Sequence, residues 1–187
     1  MKFRDLRADE IDVRVQSVKE KGVVLLLYKN ARVDMNILDE TVGSMNWQRE
    51  HYEVKGNLYC RVGIFGASGS EPCRWVFKAD CGAESNTEKE KGESSDSFKR
   101  ACTNWGIGRE LYTSPFIWVK AEDCKIVDTG KKDKNNKPIY ACYDSFKVEK
   151  IKIENKEITG LAIWNETLNK RCFVWTKEKK DDKGQTN

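Results

Sequence analysis

Residues 85–106 read Ser85-Asn86-Thr87-Glu88-Lys89-Glu90-Lys91-Gly92-Glu93-Ser94-Ser95-Asp96-Ser97-Phe98-Lys99-Arg100-Ala101-Cys102-Thr103-Asn104-Trp105-Gly106. Ser85, Asn86 and Thr87 offer caps, Thr87 with Glu90 fits a capping box, and Gly106 is a stop. Phe98, Ala101, Cys102 and Trp105 recur at i, i+3, i+4 and i+7, which makes one apolar stripe on a helix. Lys99, Arg100 and Thr103 project away from that stripe, and Asp96 stands four residues before Arg100, a favourable helical pair. The first half of the helix, Glu88 to Asp96, is polar on all sides.

A helix with one apolar stripe needs an apolar surface to cover, and the residues before it supply strands. Trp47 to Val54 runs into the turn Lys55-Gly56-Asn57. Leu58, Cys60, Val62 and Ile64 alternate with Tyr59, Arg61, Gly63 and Phe65. After the loop Gly66 to Pro72, Cys73, Trp75 and Phe77 alternate with Arg74, Val76 and Lys78. Period two predicts three antiparallel strands with Cys73, Trp75 and Phe77 on a dry face and Arg74 and Lys78 on a basic one. Trp47, Trp75, Phe98 and Trp105 are assigned first to the core.

Further out, Ile11 to Val18 and Val23 to Tyr28 read as a β-hairpin. Asn30 caps a short helix over 31–42 that Gly43 stops, with Arg32 in its first turn. After Pro115 the chain is strand-rich again: 116–119, 124–127, 139–143, 148–153, 158–164 and 172–175, with a polar loop at 130–138. The expected fold class is α+β, an antiparallel β-β-β-α core with a long helix packed on the sheet, plus a C-terminal strand-rich extension. The expected segments are a core at 1–120, the extension at 121–176 and a disordered charged tail at 177–187.

Composition narrows the chemistry. The chain has 187 residues, 34% of them charged, with 6 Trp, 6 Tyr and 7 Phe and a net charge of +4. The aromatics argue against wholesale disorder. The longest apolar run is Val23 to Tyr28, far short of a bilayer span, and the N-terminal stretch lacks an apolar signal region. Seven irregularly spaced cysteines and no C-x-x-C motif read as reduced, mostly packed thiols of a cytoplasmic protein. One histidine, His51, supports neither a zinc site nor a Ser-His-Asp triad. There is no phosphate-binding P-loop, and Trp105-Gly106-Ile107-Gly108 ends a helix rather than opening one. No metal or cofactor is expected. Glu53 and Lys55 with Asp34, Asp39 or Asp80 leave a Mg²⁺-dependent nuclease as an alternative.

The order of these features then becomes specific. A helix headed by an arginine is followed by Gly43-x-x-x-Trp47, three strands, and a helix containing Glu88-Lys89-x-Lys91, Ser95-Asp96 and Lys99-Arg100-Ala101. Trp105-Gly106, Gly108 and Leu111-Tyr112 close the stretch. Over roughly Arg7 to Tyr112 this resembles the Rad fifty-two superfamily of single-strand annealing proteins, especially the short phage and prophage (Sak-like) type. Lys91 stands one position away from the family spacing. Nothing after Pro115 has a counterpart in it.

The resemblance implies a homo-oligomeric ring or helical filament that holds single-stranded DNA in a positive groove and anneals complementary strands during recombination and repair of phage DNA in a bacterial host. It places groove cations at Lys99, Arg100 and Arg32, and a further basic helix position at Lys91. Arg61, Arg74 and Lys78, on strand faces, are candidate groove walls. Without the resemblance, each of these charges is an ordinary solvated side chain. Annealing breaks no bond, so the expectation is a binding protein rather than an enzyme, with no membrane partner. Whether a phage exonuclease or a host single-strand-binding protein docks on residues 121–187 is left open. A non-annealing single-strand-binding module is the other alternative.

Overall fold

A computed structural model describes residues 1–66, 74–83 and 89–178, with the backbone alone at 89–91. Its elements, in chain order, are β1 (Asp12–Lys19), β2 (Gly22–Tyr28), α1 (Ala31–Val42), β3 (Trp47–Val54), β4 (Asn57–Phe65), β5 (Trp75–Cys81) and α2 (Lys89–Trp105). There follow β6 (Ile117–Lys120), β7 (Val127–Lys132), β8 (Pro138–Ala141), β9 (Phe146–Glu154), β10 (Glu157–Asn165) and β11 (Lys170–Thr176). No helix among the described residues is long and apolar enough to cross a membrane.

The chain forms two compact units, and each draws on two stretches of sequence. The first holds Met1–Asp12 and Tyr28–Tyr112, the second Val13–Leu27 and Thr113–Asn187. This partition differs from a single break near residue 120, because the hairpin strands β1 and β2 go with the C-terminal strands. The second unit is built on a six-stranded sheet in the order β11-β10-β9-β1-β2-β6. Strand β2 is shielded on both flanks, and Val23, Leu25 and Leu27 are buried. Gly22 is required where β6 closes on β2, because a Cβ there would stand 2.3 Å from the Val119 carbonyl oxygen. At the far end of β10 a buried polar knot forms. The Asn165 amide donates to Asp144 (2.8 Å) and to the Asp123 carbonyl (3.1 Å), while its oxygen accepts from the Leu168 N–H (3.1 Å).

The expected α+β class, with a long helix packed on the sheet as the organising feature, is corrected. Among the described residues strand outnumbers helix about two to one, so the protein is mostly β. Its largest sheet stands in a unit whose one complete helix among the described residues is the three-residue turn Ala121–Asp123. The physical reason is long-range pairing. β1 and β2 pattern like a free hairpin, and periodicity alone does not show that β9, more than a hundred residues later, is the neighbour of β1. Residues 121–176 are accordingly no appendage but supply three strands of a six-stranded sheet that β1, β2 and β6 complete. The loop expected at 130–138 is shorter than that, since β7 continues to Lys132 and β8 starts at Pro138.

In the first unit, α1 begins where Asn30 caps it. The Asn30 side chain accepts from the N–H groups of Arg32 (2.9 Å) and Val33 (3.3 Å). Val33, Ile37 and Leu38 of α1 are buried, as are Cys60, Val62 and Ile64 of β4 and Phe98, Ala101 and Cys102 of α2. The six described cysteines are free thiols, and burial pushes Cys60 up to about 11 and both Cys124 and Cys172 up to about 12. The loop at 66–72 apart from Gly66, the capping residues at 85–87, the Lys91 side chain and the tail beyond residue 178 lie outside the described residues.

Candidate nucleic-acid interface

The three-stranded sheet β3-β4-β5 of the first unit presents two unlike faces. Residues directly opposite on antiparallel strands share a face. Register therefore groups Trp47, Arg49 and His51 with Ile64, Val62 and Cys60, and with Val76, Lys78 and Asp80. This side meets α2. The Trp47 and Phe98 rings stack with centroids 6.2 Å apart, and the Arg49 guanidinium lies 4.8 Å over the Phe98 ring. His51 Nε2 stands 3.1 Å from both the hydroxyl and the carbonyl oxygen of Ser94. The Leu58 N–H donates to the Glu93 carboxylate (3.1 Å), and the Trp105 indole N–H donates to the Val62 carbonyl (3.0 Å). The single histidine is thus a structural tether.

The opposite face carries Gln48, Glu50 and Tyr52, then Tyr59, Arg61, Gly63 and Phe65, then Trp75, Phe77 and Ala79. Here the expected assignment is inverted. Trp75 and Phe77, read as the dry face of β5, are 37% and 40% exposed, and Phe65 beside them is 42% exposed. The strand assigned as half-basic turns Lys78 and Asp80 toward α2 instead. Period two gives the two faces of a strand but not which of them the helix takes. That choice is made by β4, whose buried Cys60, Val62 and Ile64 lie on the other side from Phe77.

The cations divide by how free they are. Lys99 is half-buried and Arg100 exposed, both beside the buried Phe98 and Ala101. Among the described residues the Lys99 ammonium has no hydrogen-bonding partner, though its charge is felt by Asp34 on α1, a helix in contact with α2. Arg32, in the first turn of α1, is exposed, and its guanidinium likewise has no partner among the described residues. Arg100 is held loosely by Asp80 at 3.3 Å. Burial works against the Arg100 charge, but Asp80, with Tyr112 and Asp96 adding to it, keeps the guanidinium above its ordinary value.

Lys78 and Arg61 are more committed. The Lys78 ammonium donates to the Asn104 carbonyl (2.9 Å) and sits 4.6 Å over the Trp105 ring. Arg109 donates to the Thr103 carbonyl (3.0 Å) and the Asn104 carbonyl (3.2 Å), so two cations complete the C-terminal end of α2. Arg61 pairs with Glu50 across the strands (2.5 Å) and lies 4.7 Å over the Phe77 ring. Arg74 is exposed, with no side-chain partner among the described residues. Lys29, which the sequence reading passes over, is buried with both carboxylate oxygens of Asp34 at 2.5 Å. Burial pushes the Asp34 carboxyl up to about 6 against the pull of Lys29 and Lys99.

The carboxylates of the nuclease alternative are dispersed. Asp34 is inside with Lys29, Asp39 accepts from the Trp47 indole (2.6 Å), Asp80 holds Arg100 and Glu53 is exposed. Among the described residues no three His, Cys, Asp or Glu side chains form a group able to hold a metal ion. Two features escaped sequence reading. One is Arg49 over Phe98, for which alternation alone gives no signal. The other is the exposed ring cluster Phe65, Trp75 and Phe77, whose signal was Gly63: a bare position opposite an aromatic. No known protein-family model, curated protein or solved structure matches the chain.

Proposed function

We propose that this chain binds single-stranded DNA and anneals complementary strands, as a homo-oligomeric ring or helical filament serving recombination of phage or prophage DNA in the bacterial cytoplasm. It acts by holding strands rather than by making bonds, and needs no cofactor. The observation that carries the reading is the pair Lys99 and Arg100, which stand off the apolar stripe of α2 with one ammonium lacking a hydrogen-bonding partner among the described residues and one guanidinium only loosely paired. Arg32, likewise without a partner among the described residues, lies on the neighbouring helix α1. The resemblance of 88–106 to the annealing proteins of the Rad fifty-two superfamily supports the same positions. Lysine serves as a point charge and arginine forks onto phosphate oxygens. One subunit offers few such groups, so repetition in an assembly is what reconciles a net charge of +4 with firm polyanion binding.

The test is annealing of complementary oligonucleotides with native mass measured on the same sample. Accelerated annealing by a large assembly is expected. Binding by a small species without acceleration would make the chain a protective single-strand-binding module. Cleavage of the strands in Mg²⁺ that is lost in Glu53→Gln would replace the reading with a nuclease.

A further inference from the structure

The aromatic half of the open face of β3-β4-β5 has no part in the cation site above, yet it is built. Phe65 and Trp75 are directly opposed across β4 and β5, with ring centroids 5.5 Å apart. Trp75 and Phe77 follow on the same strand, centroids 6.2 Å apart and planes within 27°. Phe77 lies over Gly63, where a Cβ would come within 2.4 Å of the ring, so the sheet is bare beneath it and the ring rests flat. The Arg61 guanidinium is fixed against that ring by Glu50. Exposed rings in mutual contact, more than a third open to water, are unusual on a surface that has nothing to bind.

We infer that this face is a second nucleic-acid contact, one that stacks the unpaired bases of a single strand on Trp75, Phe77 and Phe65. The inference rests on the proposed function and deepens it by naming what holds the bases rather than the phosphates. Charge favours this occupant. Among the described residues, Gln48, Gly63, Phe65, Trp75 and Phe77 include no carboxylate, and the acid on this face, Glu50, is paired with Arg61. Spacing favours it as well. Rings two residues apart on a strand recur at about 6.7 Å, roughly twice the 3.4 Å rise of stacked bases. The face therefore suits an extended strand with its bases separated, the state a strand must hold before it meets its complement. Aromatic stacking tolerates every base, which an annealing protein without sequence preference requires.

The experiment compares wild-type binding of a fluorescent oligo(dT) with binding of an abasic oligomer of the same length and phosphate number, at one salt concentration. The stacking face predicts binding of the intact strand tighter by about 5- to 150-fold for each base engaged. Trp75→Leu with Phe77→Leu, which keeps apolar volume but removes the π-faces, narrows that gap while leaving abasic binding unchanged, and Trp75→Tyr restores it. The comparison on wild type stands even if the double variant fails to fold. Equal affinity for intact and abasic strands overturns the inference and leaves the phosphate site standing. Failure to bind either strand overturns the proposed function and the inference together. A double variant that changes native mass while keeping the intact-over-abasic preference assigns the face to contacts between copies and overturns the inference.

Discussion

Replacing Lys99 and Arg100 together by alanine separates the fold from the site. On the folding side little is lost. Lys99 has no hydrogen-bonding partner among the described residues, and the one pair removed, Arg100 with Asp80, is long at 3.3 Å with its side chains 46% and 28% exposed. Such a pair contributes below about 1 kcal/mol, and alanine favours the helix slightly more than lysine or arginine does. The melting temperature moves by no more than about 4 °C in a chain of this length. On the binding side, each phosphate contact to a single strand steepens the salt dependence by about 0.7 in log–log slope. From 50 to 200 mM salt, a fourfold change, one contact accounts for about 2.6-fold in affinity and two for about sevenfold. Fluorescence anisotropy of labelled oligo(dT) across that range measures both slopes. The wild type is expected to be steeper by about 1.4 per protomer engaged. A double variant with wild-type affinity and slope, still folded, shows that these cations do not touch the phosphates.

Three further outcomes are expected. Trp105→Ala removes a half-buried ring, its bond to the Val62 carbonyl and the seat of the Lys78 ammonium; the loss is about 3 kcal/mol, checked by urea unfolding, and a change under about 0.5 kcal/mol refutes the anchoring role. Asn165→Ala leaves Asp144, the Asp123 carbonyl and the Leu168 N–H each short of a partner; it costs about 2–4 kcal/mol, read from thermal melts of the full chain. For Asp34 the sign runs opposite to most carboxylates. Its folded value, about 6, lies above the ordinary 3.8. Between those pH values the folded chain keeps a proton that the unfolded chain has released, so this group's contribution to stability falls as pH rises from about 4 to 6. Urea unfolding across that window, comparing wild type with Asp34→Asn, shows wild type losing ground to the variant with rising pH. A gain refutes the assignment.

The local elements were legible because their signals are local. Asn30 and Gly43 bracket α1, Lys55-Gly56-Asn57 marks the β3–β4 turn, and Phe98, Ala101 and Cys102 do form the buried stripe of α2. What was not legible depends on residues far apart in sequence. Nothing in Ile11 to Val18 announces β9 as a neighbour, so local pattern groups the hairpin with the residues that follow it and does not reveal the mostly β character. The faces of β5 were inverted for a related reason. Alternation separates Trp75 and Phe77 from Val76 and Lys78, but burial of β4 decides which set α2 meets. Lys78, an expected groove cation, also completes the carbonyl end of α2, a contact that spacing does not reveal.

The interleaving of the two units has a consequence for how this protein emerges from the ribosome. Strands β1 and β2 are synthesised early, but their sheet neighbours β6 and β9 begin at Ile117 and Phe146. The nascent chain must therefore carry Val23, Leu25 and Leu27 without their β6 neighbour while about ninety further residues are added. Contacts of such separation slow closure of the sheet, and a product that ends before Ile117 keeps that apolar strand without β6 beside it and is prone to self-association.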